Sequence, residues 1–173
     1  MAPIKAAIGK DFDKIELVKA EMLSEDSIHN AIKGSSYVIH HASPYYFDNK
    51  TREELVRPAV EGTEAVMRAC TASNVKRIAI TSSISSITNV SKKNYPPDGV
   101  FDESYYTEPD RPEGCVDYAV SKFLAEMAAW DYQAKQSNPF EVVTICPVLI
   151  LGPSIAYGGG TSEGLIQSLM SNT

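Results

Sequence analysis

Short runs rich in β-branched residues alternate along this chain with longer stretches of helical spacing. KIELVKAEM at 14–22 alternates apolar and polar positions and predicts a half-buried strand. SEDSIHNAIKG at 24–34 opens on capping residues and closes on Gly34, which predicts a short helix. SYVIHHAS at 36–43 predicts an apolar strand ending in small polar residues. From Glu53 to Ser73 a helical period runs through Leu55, Ala59, Val66 and Cys70, with Pro58 in its opening turns, where a missing N–H does least harm. KRIAITSS at 76–83 predicts a second buried strand. A helix follows over roughly 115–135, and FEVVTICPVLILGP at 140–153 predicts a strand running into a turn. The connection at 84–113 holds Pro96, Pro97, Pro109 and Pro112, and connections of that length are usually functional or disordered. GGGTSEG at 158–164 reads as a loop and GLIQSLMSN as the start of a helix.

This alternation predicts one domain over residues 1–173, an α/β fold with a parallel sheet covered on both faces. Ligands of such sheets bind at the carboxyl ends of the strands. Here those ends are His41-Ala42-Ser43, Ser82-Ser83, and Pro147 onward. With 43% hydrophobic and 22% charged residues, the chain has the composition of an ordinary globular protein. A net charge of −6 and unclustered Lys and Arg argue against a nucleic-acid partner. The opening MAPIKAAIGK carries no apolar run of signal or membrane-span length, so no membrane partner is expected. Cys70, Cys115 and Cys146 have no metal-ligand spacing and read as reduced thiols, which fits a cytoplasmic setting, with Cys70 and Cys146 in the core.

DYAVSKFLAEMAAW at 117–130 sets Tyr118 four residues ahead of Lys122 on the predicted helix. Val116, Val120, Phe123, Leu124 and Met127 make one apolar stripe, with Tyr118 and Lys122 opposite it, so an isolated pair of this kind reads first as two solvated residues. Ala125 and Ala129 continue the same side and allow something to approach closely. A tyrosine hydroxyl, with a pKa of about 10, is a poor acid or base at neutral pH. A neighbouring ammonium favours the phenolate and brings it toward the range useful for proton transfer. TSSISS at 81–86 offers hydroxyls that could hold a substrate carbonyl. His40 and His41 do not read as metal ligands, because adjacent strand residues point to opposite faces and no third ligand accompanies them.

Six segments in order now carry a resemblance: YVIHHASP, RPAVEGTEAVMRAC, RIAITSS, FDESYYTEP, YAVSK and ICPVLILGP. From about residue 15 to 153 the chain resembles the extended short-chain dehydrogenase/reductases of the NAD-dependent epimerase/dehydratase superfamily, in particular the dihydroflavonol reductase and cinnamoyl-CoA reductase group. The resemblance implies Tyr118 as general acid, Lys122 as its electrostatic partner and a ribose contact, and Ser83 as the carbonyl hydrogen-bond donor, with Ser82 the near alternative. It implies that His41, Ala42 and Ser43 lie along the cofactor, Glu21 and Met22 near its adenine, and Pro147 beside the nicotinamide. NADP(H) is implied ahead of NAD(H), reducing the carbonyl of a small molecule.

Against the same pattern, residues 1–13 hold one glycine, Gly9, and no G-x-x-G-x-x-G, the turn whose N–H groups receive a pyrophosphate. The expectation is therefore a partial Rossmann-type parallel sheet with flanking helices, lacking the first strand–glycine turn–helix and the C-terminal substrate region. Glu21-Met22 stands where the family carries Asp-Leu, Ala65 where it often carries Asn, and Tyr106 where it carries Trp. The gap that a missing first strand would leave allows two expectations: residues 14–22 slide over to pair with 36–43, or the chain is an incomplete product that folds poorly. Two other readings stand beside the reductase: a non-catalytic remnant binding a partner chain through an exposed sheet edge, and a sugar-nucleotide epimerase or dehydratase using the same Tyr–Lys helix.

Overall fold

The computed structural model describes residues 2–44, 51–137, 139–150, 152 and 161–171. It divides into two compact units, Met1–Val18 with Leu149–Thr173, and Lys19–Val148. In the first, α1 (Ala2–Ile8) runs into a 3-10 turn over Gly9–Lys14, and a helix spans Thr161–Ser171, beginning three residues ahead of the expected Gly164. The glycine run 158–160 lies outside the described residues.

No strand forms over 14–22, and the expected pairing with 36–43 is not made. Residues 15–20 are in neither helix nor strand, and Leu17 and Val18 stand 52% and 51% exposed. Alternation marks a segment that fits beside a partner strand, but a strand persists only where a ladder receives its N–H and C=O groups.

The second unit carries α2 (Glu25–Ile32), β1 (Tyr37–His40), α3 (Arg52–Ala72), β2 (Arg77–Thr81), α4 (Asp117–Ala134) and β3 (Glu141–Ile145). The three strands are parallel in the order β1-β2-β3, with Val38, Ile78 and Val142 in register. The α/β class and the partial parallel sheet are as expected. Thr51 caps α3 with a capping box: its Oγ1 accepts the Glu54 N–H, and the Glu54 carboxylate accepts the Thr51 N–H at 2.9 Å. Pro58 lies beyond the first turn, and the helix continues through it.

Ile28 and Ile32 of α2, Val66, Met67 and Cys70 of α3, Ile78 and Ile80 of β2, and Phe140 and Val142 join in one core. All of it lies on one face of the sheet. The other face leaves Ile39 77%, Ile145 54% and Val143 44% exposed, which corrects the expected cover on both faces. The topology explains this. The chain steps in one direction across the sheet, so two crossovers of the usual hand put α3 and α4 on the same side. Of the two cysteines expected in the core, Cys70 is fully buried and Cys146 only partly so. Among the described residues no helix is long and apolar enough to cross a membrane.

Candidate active site

The carboxyl ends of β2 and β3 are stitched together just past the sheet. The Ser82 N–H donates to the Ile145 carbonyl at 2.8 Å and the Ile84 N–H to the Pro147 carbonyl at 3.0 Å. Ser83 caps the 3-10 turn Ile84–Ser86, its Oγ accepting the Ser85 N–H at 3.1 Å. This turn holds the hydroxyls of TSSISS against α4, and Ser82, Ser83 and Ser86 are all buried.

On α4 the structure reverses the expected orientation. The buried side carries Ala119, Lys122, Ala125, Glu126 and Ala129, with Val120 and Ser121 beside them, while Val116 is 59% exposed and Phe123, Leu124 and Met127 are half-buried. Lys122 is therefore an interior ammonium. Its Nζ donates to the Thr81 carbonyl at 3.1 Å, at the last residue of β2. Burial lowers its pKa below the usual lysine value, and Cys146 and Glu126 nearby partly oppose that. The small Ala125 and Ala129 allow the close packing their size suggested. Tyr118 is half-buried one turn earlier on the same helix.

At the end of β1, His40 and His41 diverge as adjacent strand residues do. His41 is exposed and its Nδ1 lies 2.7 Å from Thr81 Oγ1. His40 is buried, with Nε2 3.4 Å from Thr63 Oγ1. Thr63 spends its proton on the Ala59 carbonyl at 2.8 Å, so His40 Nε2 carries the hydrogen and donates. Burial first, then the charges of Lys122 and His41, lower the His40 pKa to about 4, so the ring is neutral. Ala42 and Ser43 line a small cleft with His40, Ser82, Lys122 and Glu126, and the buried Ser43 Oγ has no hydrogen-bond partner among the described residues. Glu21 and Met22 lie apart from that cleft's lining, on the turn before α2. Glu21 is exposed and paired with Lys19 at 3.1 Å. Met22 packs on α3, its Cε 2.8 Å from where a β-carbon on Gly62 would stand.

Two residues of this cluster escaped the sequence reading, His40 and Glu126. Glu126 is 4% exposed and accepts Ser82 Oγ at 2.5 Å and Ser86 Oγ at 2.9 Å. The available signal was a second charged residue one turn beyond Lys122, on the same alanine-bearing side. The long connection is ordered: Thr107 is buried, its N–H donates to the Ser86 carbonyl at 2.8 Å and its Oγ1 to the Ser85 carbonyl at 2.6 Å. Tyr106, in the position where tryptophan was the pattern, packs at a tilt on Phe123 of α4, with ring centroids 6.2 Å apart. The cleft gathers the Lys122 ammonium, the Ser82 hydroxyl and the Ser43 hydroxyl at the strand ends, with Tyr118 one helical turn before Lys122 and Ser83 next to Ser82. That set can orient a carbonyl and move one proton.

A profile of the 3-beta hydroxysteroid dehydrogenase/isomerase family matches residues 4–169. Cinnamoyl-CoA reductase CAD2 of Medicago truncatula is 37% identical over 161 residues, 91% of this chain and 48% of that protein. A dihydroflavonol 4-reductase of Zea mays is 38% identical, over 83% of this chain and 40% of its own length. Among solved structures, yeast methylglyoxal/isovaleraldehyde reductase complexed with NADPH superposes with a TM-score of 0.76 at 26% identity, over 98% of this chain and 55% of that one. The chain spans about half the length of the relatives it matches. The resemblance drawn from the six motifs holds.

Proposed function

We propose that this chain, which belongs to the 3-beta hydroxysteroid dehydrogenase/isomerase family, carries the proton-transfer half of an NAD(P)H-dependent carbonyl reductase site. The observation that carries the reading is the interior Lys122 ammonium at the end of β2, one helical turn from Tyr118. The chemistry a nicotinamide cofactor supplies when bound is hydride donation to a carbonyl carbon. Tyr118 protonates the oxygen as the alcohol forms, and Lys122 makes the resulting phenolate less costly. Ser82 has its proton committed to Glu126. Ser83, whose Oγ accepts a backbone N–H and keeps its own proton to give, is the donor to the substrate oxygen.

The unpartnered Ser43 Oγ and the Lys122 ammonium fit the hydroxyl-rich nicotinamide-ribose end of such a cofactor, with His41, Ala42 and Pro147 at the same strand ends. NADP(H) is preferred to NAD(H), in keeping with the NADPH-bound reductase among the structural relatives. The substrate is a small ketone, aldehyde or thioester, the class to which the named reductases point.

Titration calorimetry of NADPH and NADH into the 173-residue chain tests this reading. Saturable binding, tighter for NADPH, is the expected result. With turnover established on a carbonyl substrate, Tyr118→Phe lowers kcat by about 100-fold or more, the usual contribution of a positioned acid. Absence of heat with either nucleotide overturns the reading. It would favour a chain that binds a partner at its sheet, for which the exposed Ile39 and Ile145 and the unpaired outer edge of β1 among the described residues speak.

A further inference from the structure

We infer that Glu126 is the positioning residue of this site: from the buried side of α4 it fixes the turn that carries Ser83 against the helix that carries Tyr118 and Lys122. What those three groups do rests on the reductase reading, but how they are held rests on geometry alone. An interior carboxylate is costly unless its oxygens are satisfied. Here Oε2 receives the Ser82 hydroxyl at 2.5 Å and lies 2.9 Å from the Ser86 hydroxyl, while Oε1 receives Trp130 Nε1 at 3.4 Å. Ser86 Oγ also stands 2.8 Å from the Ser83 carbonyl, so its single proton is shared between that carbonyl and Glu126.

Ser82 and Ser86 bracket Ser83, and both converge on one carboxylate oxygen. No cation pairs directly with Glu126 among the described residues, since Lys122 Nζ is turned to the Thr81 carbonyl. The negative charge is therefore spent on the turn. Glutamine cannot replace it, because it offers an acceptor at only one of its two terminal atoms, whereas donors approach both. The titratable groups around Lys122 are Glu126 on its own helix, His40 at the end of β1 and Cys146 after β3.

The test is Glu126→Gln in the full chain, read by amide hydrogen exchange and by an NMR titration of the Lys122 side chain. Loss of a charge-assisted bond predicts roughly tenfold or faster exchange at the Ser82, Ile84 and Ser86 amides, with the α3 amides of Val66 and Cys70 unchanged. Lys122 then titrates at a lower pH than in the unsubstituted chain, because the burial that depresses it stays and an opposing charge goes. Unchanged exchange in the turn overturns the inference. So does a rise spread equally over α3, or a Lys122 titration moved upward, as a loosened and rehydrated helix would give. Ser86→Ala, which keeps the carboxylate, carries the test if Glu126→Gln does not fold: faster exchange in the turn with Lys122 unmoved supports the inference, and an unmoved turn overturns it. Failure to bind NADPH bears on the reductase reading and leaves these readouts as they are.

Discussion

His40 is held neutral at the end of β1 by burial first and by the Lys122 ammonium after it, and this makes the second unit acid-sensitive. Its folded pKa, about 4, lies below the ordinary 6.5. Between those values the unfolded chain takes up a proton that the native chain refuses, so stability is fully present above about 6.5 and is lost as pH falls toward 4. The size is about 3 kcal/mol. Urea midpoints followed from pH 7.5 to 4 should fall less steeply in His40→Asn than in the unsubstituted chain, and equal slopes would remove the effect. Strand alternation alone separates His40 from His41 only by sending them to opposite faces. The difference lies in burial: the His40 ring is enclosed against Thr63 of α3, while His41 stands exposed.

Helix α3 starts where it does because Thr51 and Glu54 satisfy each other's backbone N–H groups at its first turn. Thr51→Ala should cost about 1 kcal/mol, visible as a lowered denaturation midpoint with an unchanged slope. Strands β1, β2 and β3 and helices α3 and α4 were all legible as runs of the right period, although β1 fully buries only His40 and leaves Ile39 exposed. The orientation of α4 was not legible. Local periodicity sends a lysine and a glutamate outward, yet here they point inward, satisfied by the Thr81 carbonyl and by the Ser82 and Ser86 hydroxyls, groups some forty residues away in sequence. The 14–22 segment failed for the converse reason. Its alternation was genuine, but whether a partner strand stands beside it is not written within those residues. The candidate site was half legible: the motifs named Tyr118, Lys122 and Ser83, while the carboxylate that binds the serine turn to the helix emerged only from packing.

At the scale of the molecule, the bare sheet face sets the behaviour in solution. Ile39 of β1 and Val143 and Ile145 of β3 stand exposed on strands that flank β2, with Ala79 between Ile39 and Val143, beside an outer edge of β1 that pairs with nothing among the described residues. Binding of an apolar fluorescent dye should be strong for this chain and should drop in Ile39→Lys, with the urea midpoint nearly unmoved, because the side chain leaves no core. A fall in midpoint instead would mean that Ile39 is packed. The strand order has a separate consequence for how the unit comes into being. Spatial order equals chain order, so each strand needs only the one made before it. As the polypeptide emerges from the ribosome, β1 can template β2 once α3 has folded back, and β2 can template β3 after α4. The Thr81 carbonyl that receives Lys122 is thus in place before β3 is added, and synthesis itself can set the sequence in which the charged interior is sealed.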